Sequence, residues 1–130
     1  MPFKIKTSKH CRASELQELQ SATVIVFGIF LQFANSRALP VVVTNINDKF
    51  TQSISNTHIE GRALDISSKN WSAKDVKDCL LYMRTKVNYL GAISFSDNKQ
   101  RVIIHHKVKG GAEHFHLQVA REVYHDGRNI

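Results

Sequence analysis

The sequence predicts an α+β fold: an N-terminal helix or helices and one further helix packed on a small, mainly antiparallel sheet. Three observations carry this. Apolar residues recur at helical spacing in residues 14–34 and again in 72–87, β-branched and alternating stretches crowd the second half, and short turns separate the last strands, which favours antiparallel pairing. A chain of 130 residues has room for a single core, so residues 1–130 are read as one domain. Hydrophobic residues at 42% and charged residues at 22% are the composition of a chain that folds, far from the charge-rich composition of disordered segments.

From Ser14, the apolar residues Leu16, Leu19, Val24, Phe27 and Leu31 recur at helical intervals, with Ser14 and Gln17 as a capping pair, so one long helix or two joined ones are expected. The apolar run 22–34 within it is interrupted by Gln32 and is shorter than the ~20 residues a bilayer requires, so no membrane span is expected. Pro40 stops helical geometry, and Val41, Val42, Val43 and Thr44 have the composition of a buried strand. A polar loop over 45–57 follows, and residues 63–66 read as a short strand. Trp71 is expected to anchor packing. Ser72 with Asp75 opens a helix whose Val76, Cys79, Leu80, Met83 and Val87 share one face and which Gly91 closes. Strands at 92–95, 101–108 and, after Gly110 and Gly111, at 114–119 complete the pattern.

Lys and Arg number 18 against 11 Asp and Glu, a formal charge of +7 that suits an anionic partner such as nucleic acid, a membrane surface or a wall polymer. The basic region at Arg101 and 107–109 lacks interleaved aromatic residues, so nucleic acid is not the expected partner. Cys11 and Cys79 read as two reduced thiols. The first residues are basic but adjoin no apolar stretch with a cleavage site, so synthesis in the cytoplasm without a signal peptide is expected. The oligomeric state is not legible, and a monomer is favoured.

The chemistry begins at His58. In the run His58 to Asp65, Gly61 permits a tight or positive-φ turn, and strand alternation then puts Ala63 and Asp65 on one face, so that Asp65 can point back to His58 with small Ala63 leaving space beside them. A second cluster, residues 110–117, sets His114 and His116 on a common strand face with Glu113 at its mouth. Two neutral imidazoles and one carboxylate leave Zn²⁺ a net positive charge and a fourth position for water, a requirement that His58, Asp65 and His116 can meet. Glu113, three residues before His116, is then the expected general base, with His114 the reserve base or transition-state stabiliser, since strict alternation would turn Glu113 away. His105 and His106 are read as groove or surface groups, and His10 and His125 as surface groups.

These residues resemble a family: the zinc peptidases that include D-Ala-D-Ala carboxypeptidases, vancomycin-resistance dipeptidases and phage L-alanyl-D-glutamate endolysins, with the hedgehog signalling domain as a relative in fold. The family pattern, Ser-x-His-x-x-Gly-x-Ala-x-Asp followed by Glu-x-x-His or His-x-His, is matched at His58, Gly61, Ala63, Asp65, Glu113, His114 and His116. The resemblance covers residues 41–119 and implies one Zn²⁺ held by His58, Asp65 and His116, with Glu113 and His114 in catalysis. It further implies a peptidoglycan stem-peptide substrate and action on the bacterial wall after release, as a phage lysin or related hydrolase, by carboxypeptidase or endopeptidase cleavage. Two positions depart from the pattern: Asn56, next to Ser55, stands where the family has Ser, and no Arg follows the 41–44 strand, where Lys49 is the available cation. A zinc-binding module without activity and a basic nucleic-acid-binding protein are the rival readings.

Overall fold

The computed structural model describes residues 5–7, 16–17, 19–46, 60–94, 97–107 and 113–121. The chain is α+β. Strands β1 (Ile5–Thr7), β2 (Val41–Asn45), β3 (Ala63–Ser67), β6 (Ile103–His106) and β7 (His114–Gln118) form a five-stranded sheet of order β1-β2-β3-β7-β6. All neighbours in it are antiparallel except β1 and β2. Helices α1 (Ser21–Ser36) and α2 (Ala73–Val87) pack against one face, and β4 (Ala92–Ile93) pairs with β5 (Gln100–Arg101) in a separate ribbon.

Alternation decides what each face carries. Leu64 and Ile66 of β3, Phe115 and Leu117 of β7 and Ile103 of β6 point to the helices and are fully buried. Against them α1 lays Val26, Phe27, Phe30 and Phe33, and α2 lays Cys79, Met83 and Val87. Trp71 is the expected anchor: it stacks on Phe30 at 5.6 Å, meets Phe115 edge-on at 4.9 Å, and donates from Nε1 to the Pro40 carbonyl at 2.9 Å. Ser72 caps α2 as expected, its Oγ accepting from the Asp75 amide at 3.1 Å.

Several boundaries differ from the sequence reading. Helix α1 starts at Ser21, with Gln20 extended at its N-cap (φ −68°, ψ 157°), while Ser14 lies outside the described residues. Val24, placed on the apolar face by spacing, is 51% exposed, because α1 is apolar nearly all round and periodicity cannot select its buried side. The single strand expected over 101–108 is two, broken at Val102, whose amide donates to Asn88 Oδ1 at 3.0 Å instead of continuing the ladder. Helix α2 gives way at Asn88 to a 3-10 turn, Asn88–Leu90, one step before Gly91. Strand β1, parallel to β2 with Ile5 opposite Val41, has no counterpart in the sequence reading.

The turn into β3 is held tightly. Gly61 has φ 72°, the left-handed region the motif predicts for it. Its carbonyl accepts from the Gln20 amide at 2.9 Å and from buried Thr23 Oγ1 at 2.8 Å, so the first turn of α1 grips it. On either side, Glu60 and Arg62 form an ion pair at 2.7 Å, Arg62 Nη1 donates to the Val119 carbonyl at 2.9 Å, and Arg121 reaches Glu60 at 2.8 Å. One ionic knot thus ties the entry of β3 to the exit of β7.

Candidate functional site

The face of the sheet turned away from the helices carries the polar residues. Register places Asp65 of β3 opposite His116 of β7, and Ser67 opposite His114. In turn His116 lies opposite Ile104 and His114 opposite His106 of β6. Asp65, His114, His116 and His106 therefore share one face across three strands.

Within that array Asp65 and His116 are in direct contact, Nδ1 to Oδ1 at 2.8 Å, with side chains 16% and 15% exposed. A carboxylate accepts in such a contact, so Nδ1 is the donor and Oδ1 the acceptor. The His106 ring lies 5.1 Å from that of His114 and 6.0 Å from that of His116. The His106 imidazole is held below its ordinary range, by partial burial first and then by the neighbouring His114 and His116, so it is neutral near pH 7.

Glu113 does not join this group. It lies just before β7, about half exposed, with its carboxylate 4.0 Å from Lys107 Nζ. Its charge acts on His105, which by alternation belongs to the helix side of β6. There His105 meets Ser68 Oγ through Nε2 at 2.8 Å and packs on the Phe115 ring at 5.1 Å. Burial lowers the His105 imidazole, with Glu113 opposing the shift. The adjacent pair His105 and His106 is thus split between the two faces, and His106 is the member that reaches the candidate site. The sequence reading left His106 outside the site; the signal available was its parity with His114 once β6 and β7 pair.

Ala63, expected to leave space beside the site, is fully buried, opposite Gln118, whose amide donates to the Arg101 carbonyl at 3.0 Å. His58, Lys49, Asn56, Ser55, Cys11, His10 and His125 lie outside the described residues. Among the described residues, no group of three or more His, Cys, Asp or Glu side chains is placed to hold a metal ion. The donor chemistry of Asp65 and His116 nevertheless suits a divalent ion.

No protein-family model, curated protein or solved structure matches this chain. The reading of the site therefore rests on its own residues. Among the described residues no helix is long and apolar enough to cross a membrane.

Proposed function

We propose that this chain is a zinc-dependent peptidase of the hedgehog-like zinc-peptidase fold that hydrolyses an amide bond in peptidoglycan stem peptides. The observation that supports it is the Asp65–His116 pair. Two members of a ligand motif, remote in sequence, meet at 2.8 Å on the sheet face turned from the helices, with His114 beside them. Asp65 and His116, with His58 of the same motif, would hold the ion. When bound, zinc supplies Lewis-acid polarisation of a carbonyl and lowers the pKa of water toward ~7.

The chain's own residues have distinct jobs in this reading. Asp65 orients His116 and contributes negative charge. The base that takes the proton from water and returns it to the leaving amine is Glu113 by resemblance, or His114 by placement, since His114 shares the face of Asp65 and His116. The bond cleaved is either D-Ala-D-Ala, by carboxypeptidase action, or L-Ala-D-Glu, by endopeptidase action. Its wall substrate is reached after release from the cell in which the chain is made.

The test is metal content by mass spectrometry on the wild type and on His116→Ala, beside digestion of purified peptidoglycan with and without chelator. One zinc per chain, lost in the variant together with chelator-sensitive release of amino groups, is expected. Glu113→Ala and His114→Ala then separate the two candidate bases: the true base abolishes turnover and leaves zinc bound. Failure to bind metal after zinc is supplied refutes the proposal. Zinc without hydrolysis leaves a zinc-binding module of the same fold, the second reading, which the turning of Glu113 toward Lys107 favours.

A further inference from the structure

The helix layer has an outer surface that the peptidase reading does not use. Helix α1 runs sixteen residues without a charged side chain, in a protein whose formal charge is +7. It buries Val26, Phe30 and Phe33 inward, yet its outward side, with polar Gln32 and Asn35 toward its end, also turns apolar side chains to solvent in its first turns. Val24 and Ile25 are 51% and 55% exposed, and a Cβ added at Gly28 would meet open space. Beside it, α2 presents Leu81, 67% exposed, among the exposed cations Lys77 and Arg84.

The carboxylates of α2 do not offset those cations. Asp75 and Asp78 are engaged by Arg37 at 2.9 and 2.8 Å, and Asp78 also by Lys74 at 2.7 Å, whereas Lys77 and Arg84 pair with no carboxylate among the described residues. Between the helices lies a depression of about 420 Å³ floored by Phe33, Tyr82 and Leu81. Its cations sit over its rings: Arg37 over Phe33 at 4.6 Å and Lys86 over Tyr82 at 5.6 Å.

We propose that this outer surface of α1 and α2 is a membrane-adsorption face that takes an anionic lipid bilayer. Apolar side chains on one helix and cations on its neighbour are the two components of interfacial binding: acyl-boundary burial and attraction to anionic headgroups. Charge complementarity selects lipid over a second copy, because two chains of +7 repel one another. The arrangement also orients the molecule. The helices cover one face of the sheet and Asp65, His114 and His116 occupy the other, so a chain lying on a bilayer by its helices holds that polar face away from the membrane. This inference stands on the helix surface and does not depend on the peptidase reading.

The test is co-sedimentation of the full chain with vesicles of phosphatidylglycerol mixed into phosphatidylcholine, and with phosphatidylcholine alone. Binding to the anionic vesicles is expected, weakened by salt. Each cation near the surface contributes about fivefold to partitioning, so Lys77→Glu with Arg84→Glu lowers binding at least tenfold. Val24→Asp, or Ile25→Asp should the first variant melt early, lowers it by a similar factor with far-UV circular dichroism unchanged. No binding to anionic vesicles overturns the proposal, as does binding that survives both the charge-reversal and the aspartate variants. A dimer in sedimentation velocity that Val24→Asp abolishes, without vesicle binding, assigns the face to a second copy and overturns it too. Binding of a DNA duplex that ignores Val24→Asp, again without vesicle binding, assigns the cations to nucleic acid with the same consequence.

Discussion

Replacing Glu60 by Ala tests whether the ionic knot at the entry of β3 holds the site's frame together. Arg62 is 10% exposed on its side chain and Glu60 30%. The substitution removes the acceptor of two Arg62 donors, Nε at 2.8 Å and Nη2 at 2.7 Å, and leaves Nη1 on the Val119 carbonyl. Breaking a fully buried pair costs about 3–5 kcal/mol. Water reaches the exposed part of Glu60 and can solvate the abandoned guanidinium, which brings the expected loss to about 2 kcal/mol. For a chain of this length that lowers Tm by about 8 °C, measured by thermal denaturation at pH 7.

The same variant carries a pH signature. Burial pushes the Glu60 carboxyl up, but hydrogen bonds from Arg62 and Arg121 outweigh it and hold the group below its ordinary range. A carboxyl depressed in the folded state stabilises fully above its unfolded value of about 4.3, and that contribution disappears as pH falls through the folded value. The gap between wild type and Glu60→Ala should therefore be widest near neutrality and close in acid. A gap under about 0.5 kcal/mol at pH 7, or one that stays constant down to acid pH, would refute the reasoning.

Two further outcomes test the packing. A Cβ at Gly91 would lie 2.4 Å from Arg101 C and Val102 N, both backbone atoms, so Gly91→Ala should destabilise by about 3 kcal/mol or more, while Gly28→Ala, whose Cβ meets nothing, should stabilise by up to about 1 kcal/mol; equal melting temperatures for the two variants would contradict this. Burial pushes the Cys79 thiol up to about 12, so it should resist alkylation at mildly alkaline pH in the native protein and react once urea is added; peptide mapping separates it from Cys11, and native labelling at the rate of a free thiol would contradict the burial.

The strand that carries Asp65 and the helix capped by Ser72 were legible because each has a local cause: Gly61 at φ 72° and a serine hydroxyl accepting from the Asp75 amide. Parity within each strand set Ala63 with Asp65 and His114 with His116, whereas the meeting of Asp65 and His116 was expected from the ligand set the resemblance implies, and the register places the two opposite one another. The place of His106 beside them was not legible, because parity across a turn requires the register, which placed His106 opposite His114. The buried side of α1 was illegible for a different reason. With Val24, Ile25, Ile29 and Leu31 as apolar as the residues that point inward, only the position of the sheet picks out Val26, Phe30 and Phe33. Strand β1 is too short for periodicity and owes its existence to an edge that β2 offers.

The strand order has a bearing on how the candidate site comes together in time. His106, His114 and His116 belong to neighbouring antiparallel strands close in sequence, whereas Asp65 reaches His116 across 51 residues and pairs only when β3 meets β7. Closing the short loop costs less entropy than closing the long one, so the imidazoles can gather in a hairpin before the carboxylate arrives. The histidine face can thus exist before Asp65 joins it. The acidic partner, added last, then fixes the orientation of the His116 ring through the contact of Nδ1 with Oδ1.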